Sequence, residues 1–281
     1  MKSRNNEGPA YRQAGQAVLI VLLSLSVVLI IVLYIMSRSV TDLSLSSKEE
    51  DSLRAFSAAE AGIERALILG STGPSEIGGA NFEANVSSFG QGETSVVYPV
   101  SLKSGEIAVF WFAPHQGVVG DSQFDGNQVT FCWGDSDTPV DGFAPAIELT
   151  VYYGDISNLQ IARAVFDPNS ARAESNGFDS VNSNCTIENE DFEFETNVNL
   201  ASLGANSDLK YANVRILYNT TVAHKIGIDV TGFGLLPSQG NKVISSGSFG
   251  GANRKIEVYE TYKVAPPIFE NSIFSASGVV K

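Results

Sequence analysis

"AGQAVLIVLLSLSVVLIIVLYIMSRSV", residues 14–40, is the stretch on which the fold turns. From Ala17 to Met36 there are 20 residues without a charge. At about 1.5 Å per residue, a helix of that length crosses a hydrocarbon core roughly 30 Å thick. The apolar region of a secretory signal is only about 7–15 residues, so this run is long for a disposable signal. Lys2, Arg4 and Arg12 precede it with only Glu7 in opposition. Basic residues stay on the cytoplasmic side, which predicts an inside N-terminus and an outside location for everything after Met36.

Beyond the membrane exit, "SRSVTDLSLSSKEEDSLRAFSAAEAGIERALIL", residues 37–69, contains no proline and a single glycine, Gly62. One helix can therefore continue through it. Leu53, Phe56, Ile63 and Leu67 recur at helical spacing, with Glu49, Glu50, Arg54, Glu60, Glu64 and Arg65 on the remaining surface. That pattern predicts an amphipathic stalk whose apolar stripe needs a cover. Gly70, then Gly73 and Pro74, supplies the stop, because glycine closes a helix and proline cannot continue one. Counted from Gln16 to Leu69, the helix would be about 80 Å long.

The chain has 281 residues, enough for a sizeable folded region beyond the helix. Its formal net charge is -13, with 18 Lys and Arg against 31 Asp and Glu, which argues against nucleic acid as a partner. Two cysteines, Cys132 and Cys185, can close one long loop if their region lies outside the cytoplasm; the alternative is two unrelated buried thiols. His115 and His224 lie far apart in sequence with no ligand partner at zinc spacing, so no metal or other cofactor is expected.

The basic leader ending in glycine, then "QAVLIVLLSLSVVLIIV", then "LRAFSAAEAGIERAL" resembles the N-terminal region of minor pilins of the type IV pilus, specifically the PilX-type group. "AFSAAEAGIE", residues 55–64, is the most specific part, and the match covers roughly the first 70 residues. The tail "SSGSFGGANRKIEVYETYKVAPPIFENSIFSASG" is similar, less specifically, to the C-terminal part of such proteins. The resemblance implies a prepilin leader over residues 1–15, cleaved after Gly15 by a prepilin peptidase, with Gln16 the new and usually methylated N-terminus. It also implies partnership with other pilins through helix packing and with the pilus assembly machinery in the membrane. Major pilins carry a glutamate at the fifth mature position; here that place is Ile20. An unpaired buried amine is costly, and lacking the acid fits a subunit at or near the tip that primes assembly. The related GspK-type pseudopilins of type II secretion often lack it too. Cyclisation of Gln16 to a neutral pyroglutamate would remove the buried charge by another route.

After Leu69 the sequence changes character. "GSTGPSEIGGANFEANVSSFGQGE" reads as a linker or loop over residues 70–91, with the exported β-rich domain spanning 92–281. Paired runs predict hairpins: "TSVVYPV" with "EIAVFWF", "IELTVYY" with "LQIARAVF", "NVRILYN" with "HKIGIDV", and "KVISSGSF" with "RKIEVYETY". Residues 167–195 read as a long polar loop that a Cys132–Cys185 bridge would tether to "VTFCW". The expected fold class is α+β: a long N-terminal transmembrane and stalk helix packed on a mostly antiparallel β domain, in the pilin manner.

Other constellations are weak. Asp135, Asp137 and Asp141 in "GDSDTPVDG" can gather calcium, but the segment lacks a twelve-residue loop with a terminal glutamate and reads better as a solvated acidic turn. The acidic run Glu188, Glu190, Asp191, Glu193 and Glu195 alternates with Phe192 and Phe194 as a half-exposed strand does. No G-x-S-x-G, H-E-x-x-H or phosphate-loop pattern occurs, so no enzymatic chemistry is visible. The expected function is a minor pilin. Its rivals are a type II secretion pseudopilin and an uncleaved, membrane-anchored extracellular binding protein.

Overall fold

The computed structural model describes residues 11–155, 157–206 and 208–264. Most of the leader and the end of the tail therefore lie outside the described residues. The elements, in chain order, are α1 (Tyr11–Leu69), β1 (Thr72–Ile77), β2 (Ala80–Phe89), β3 (Ser95–Val97), β4 (Ile107–Trp111), β5 (Gln128–Asp135), β6 (Ala146–Tyr153) and β7 (Gln160–Phe166). They continue with α2 (Ser170–Asn176), β8 (Asn182–Ile187), β9 (Glu190–Asn199), β10 (Leu209–Leu217), β11 (Ile226–Asp229), β12 (Gly240–Phe249) and β13 (Ala252–Thr261). The fold is one long apolar helix with a mostly antiparallel β region.

Helix α1 runs without interruption through the apolar segment and the stalk. It ends where its sequence predicts: Gly70 takes a φ of 82° and its N–H reaches the Ala66 carbonyl at 2.8 Å. Only glycine adopts that left-handed conformation without a steric cost.

The chain divides into two units, the first comprising everything up to Asn85 together with Ile244–Ile256, the second Val86–Val243 and the segment beginning at Glu257. Strands β1, β2, β12 and β13 form one sheet in that order, with residues of β2, β12 and β13 belonging to each unit.

In the first unit, α1 is held by its small residues. Ala55, Ala58, Ala59, Gly62, Ile63 and Ala66 are buried, at intervals that keep them on one helical face. Added side-chain bulk has no room there: a Cβ on Gly247 would collide with the Ala55 carbonyl and the Ala59 amide, and one on Gly62 with the Ser245 hydroxyl. This corrects the predicted stripe. Leu53 is 63 % exposed, Phe56 43 % and Leu67 48 %, and of the four residues only Ile63 is buried. A helix can approach a strand closely only through residues without long side chains, so the alanine face wins over the leucine face.

The segment expected to be a loop, residues 70–91, instead carries β1 and β2, and the division between units falls after Asn85 rather than near 92. Gly78 and Gly79, with φ of 57° and 80°, turn the chain so that Ile77 pairs with Ala80. Ala80, Phe82 and Ala84 then alternate inward. The period-2 signal was present but written in alanines among polar residues.

The second unit is a β-sandwich. One sheet has the order β4-β10-β6-β7 and the other β3-β11-β5-β9-β8. Their facing residues share one core that includes Phe110, Ile147, Leu149 and Val214 from the first sheet and Phe131, Trp133, Phe194 and Ile226 from the second. Each such fully buried side chain stabilises the fold by about 1.5–3 kcal/mol relative to exposure. The Trp133 indole N–H donates to the Pro145 carbonyl at 2.8 Å, so its burial leaves no polar atom stranded.

Two of the expected hairpins form, β6 with β7 and β12 with β13. The other two do not. Strand β3 pairs with β11 and β4 with β10, while β10 also pairs with β6 and β11 with β5. In each case neighbours in sequence enter opposite sheets, because a sandwich core is built by strands that cross over.

The predicted polar loop, residues 167–195, is likewise structured: it holds α2, β8 and the first half of β9. Asn169 caps α2 through its side chain, which accepts from the Arg172 N–H, and Gly177 closes the other end with a φ of 67°. Arg172 grips the buried Asp167 carboxylate with Nε at 2.6 Å and a second nitrogen at 2.7 Å. Two-point pairing of this kind satisfies a charge that would otherwise be costly to bury.

Candidate functional site

The most conspicuous feature is the bare half of α1. The large side chains from Val18 to Met36 are all exposed, as are Val40, Leu43 and Leu45. The helix is long and apolar enough to cross a membrane. Three of its hydroxyls are satisfied within the helix: Ser24 donates to the Val21 carbonyl at 2.9 Å, Ser26 to Leu23 at 2.8 Å and Thr41 to Ser37 at 3.0 Å. Ser24 and Ser26, inside the charge-free run, therefore carry no unpaired hydroxyl into apolar surroundings. Tyr34 stands one turn before Arg38, the combination of ring and long cation that suits a membrane boundary.

Gly15 and Gln16, the residues named for processing, both lie in the helical backbone of α1, and Gln16 is exposed. Ile20, at the fifth position from Gln16, is 65 % exposed on the same bare surface.

Cys132 and Cys185 are joined as a disulfide between β5 and β8, with Cα atoms 6.0 Å apart. They lie on the face of the second sheet away from the sandwich core, in a small cluster with Ile187 and Phe192. The strand periodicity explains it: Phe131 and Trp133 point inward, so Cys132 points out.

Asp135, Asp137 and Asp141 line one cavity of about 330 Å³ together with Asn219 and His224. Their carboxylates do not converge. Asp141 accepts from the Phe143 N–H at 2.7 Å, while Asp135 lies 3.8 Å from the buried His224 Nδ1. Among the described residues, the one group of three with ligand atoms close enough for a metal is Cys132, Cys185 and Glu195, and its two sulfurs are bonded to each other. Asn219 Nδ2 lies 2.8 Å from His224 Nε2, and its oxygen accepts from Thr221 and Val222. The amide therefore donates to the ring, leaving the imidazole proton on Nδ1 toward Asp135. Burial lowers the His224 pKa, with Asp135 opposing it. The acidic run follows its predicted alternation: Phe192 and Phe194 are buried, and Glu190 and Asp191 exposed. Glu188 has its pKa raised by burial against a backbone hydrogen bond from Val97.

Two features went unread in the sequence. The alanine and glycine face of α1 was legible in "AFSAAEAGIERA", where residues 55, 58, 59, 62 and 66 keep helical spacing, had small residues been counted as well as large ones. A band of aromatic rings on the outer face of the first sandwich sheet draws on β4, β10 and β6, and no local motif announces it.

Searches against protein-family models, curated proteins and solved structures matched nothing.

Proposed function

We propose that this chain is a minor pilin of the PilX type, a structural subunit of a type IV pilus placed at or near the tip and priming assembly. The observation that carries the reading is the split character of α1. Its first half exposes every large apolar side chain, while its second half packs through small residues onto a β sheet. Val18, Leu19, Leu22 and Leu29 would exchange lipid for neighbouring helices, a transfer close to neutral for apolar groups that permits reversible assembly. Ile20 leaves no acid to neutralise a neighbour's buried amine, which favours a terminal place over repeated incorporation along a shaft. The work is packing, without turnover. The subunit would wait in the cytoplasmic membrane with its N-terminus inside, then reach the cell surface in the filament.

The test is the intact mass and N-terminal sequence of the membrane-extracted protein, produced with and without a prepilin peptidase. A start at Gln16, methylated or cyclised, only when the peptidase is present supports the proposal. A retained leader makes the chain an anchored binding protein, and cleavage beyond Met36 makes the segment an export signal. Pull-down of type II secretion components in place of pilus proteins would assign it to a pseudopilus.

A further inference from the structure

The turn after β10 is organised around one side chain. The Asn219 oxygen accepts from the Thr221 N–H and the Val222 N–H, both at 3.1 Å, and from the Thr221 hydroxyl at 3.2 Å. Two of these donors are backbone amides, which can only give a proton, so the Asn219 nitrogen must face the other way. There it lies 2.8 Å from His224 Nε2, which has to accept. Asn219 and His224 are 6 % and 3 % exposed, so little solvent stands by to relieve a mismatch between them. The segment they bracket is fixed at its ends. The Asn219 carbonyl accepts from the Ser104 N–H at 3.0 Å, and His224 exchanges two backbone bonds with Leu102, both at 2.8 Å. Thr220, Thr221 and Val222 are exposed between these anchors.

This arrangement holds only while the ring is neutral. An imidazolium carries N–H on both nitrogens, and at 2.8 Å the Nε2–H would meet the Asn219 NH₂ donor against donor. Rotating the Asn219 amide gives the ring an acceptor, but it turns the NH₂ onto the Thr221 and Val222 amides and moves the conflict into the turn. Unpaired buried donors are costly in either place. The charged ring is also drawn the opposite way, toward Asp135, whose Oδ2 lies 3.8 Å from Nδ1. The other charges around it are Asp137 and Asp141 in the same cavity, the exposed Lys103 and Glu106 that follow Leu102, and Lys225, which is bound to Glu190 at 2.7 Å. Carboxylates predominate, so the local field favours the proton that burial opposes.

We propose that Asn219 and His224 form a proton-operated latch: the neutral ring holds the 220–223 turn closed, and protonation of His224 releases it. The turn is one wall of the cavity that Asp135, Asp137, Asp141 and Phe143 also line, so release opens that cavity from one side while the anchors at Ser104 and Leu102 keep the ends of the turn in place. Histidine is the side chain whose charge changes in mild acid. Its coupling to a two-state hydrogen-bond pattern converts that charge into movement of a surface segment.

The test uses the full chain in detergent micelles with nitrogen-15 in the histidine rings. The chain has two histidines, and His115→Gln assigns their signals. Near neutral pH the His224 ring should carry its proton on Nδ1. As it titrates, below the ordinary histidine value of about 6.5, exchange protection of the Thr221 and Val222 amides, corrected for the intrinsic effect of pH, should fall by up to about tenfold per pH unit. Amides of β5 and β10 should keep theirs. His224→Gln should hold the turn closed throughout. In Asn219→Asp one carboxylate oxygen can serve the turn and the other the charged ring, so the His224 pKa should rise and the turn stay closed after protonation. A neutral ring with its proton on Nε2, turn protection that survives protonation, simultaneous loss across the whole sandwich, or release in Asn219→Asp as in the parent chain overturns the proposal. The outcome is independent of leader cleavage, so it fails or stands apart from the pilin reading.

Discussion

The two units solve the problem of cohesion in opposite ways. In the second, the sandwich interior is filled with large side chains: Trp133, Phe110, Phe112, Phe124, Phe131 and Phe194 are all fully buried. In the first, the buried apolar residues are alanines, with Ile63 and Phe82 the larger members. One unit gains stability by removing area from water, the other by bringing backbones close together. The lesson is that large apolar residues mark a core only where the partner surface stands far enough off to receive them. On α1 they mark what is left bare.

The comparison can be broken most forcefully through the disulfide. It closes a sequence separation of 53 residues, for which chain entropy gives about 4 kcal/mol. Cys132→Ala with Cys185→Ala should lower the unfolding free energy of the sandwich by that order and leave protease protection of the α1 stalk unchanged. Urea unfolding followed by Trp133 fluorescence, alongside limited proteolysis, checks both halves of the claim.

The converse is Gly247→Val. Its branches would enter the Ala55 carbonyl and the Ala59 amide, which are backbone and cannot swing aside. A loss of about 3 kcal/mol confined to the first unit is expected. Hydrogen exchange of the α1 stalk amides reads it; unchanged protection would mean the helix is held some other way.

A smaller difference depends on pH. His115 and His224, both in the second unit, have pKa values lowered by burial. As pH falls through the ordinary histidine value of about 6.5, the unfolded chain takes up protons that the folded chain does not. Stability present above that pH is therefore lost below it. Glu188, raised by burial, works in the other direction at lower pH. Urea midpoints between about pH 7.5 and 5.5 should fall, and His224→Gln should flatten the slope; an unchanged slope would place the histidine effect elsewhere.

The smallest expected effect is the most pointed. Leu53, part of the sequence-predicted stripe, is 63 % exposed, so Leu53→Ser should change stability by no more than about 0.5 kcal/mol. A loss of about 2 kcal/mol in a thermal melt would restore the leucine stripe as the buried face.

What the sequence by itself determined was local. A charge-free run from Ala17 to Met36 makes an apolar helix, Gly70 ends it, and the β-branched and aromatic runs "IELTVYY" and "LQIARAVF" make two strands that pair as a hairpin. Each of these depends on dihedral preferences and periodicity within a few residues. The tertiary structure decided the rest: which face of α1 is covered, why β3 and β4 part company into different sheets, where Cys132 meets Cys185, and how Trp111, His115 and Tyr262 come to share a cavity. These depend on the distance between surfaces and on hydrogen bonds between strands far apart in the chain, and no short window of sequence contains either.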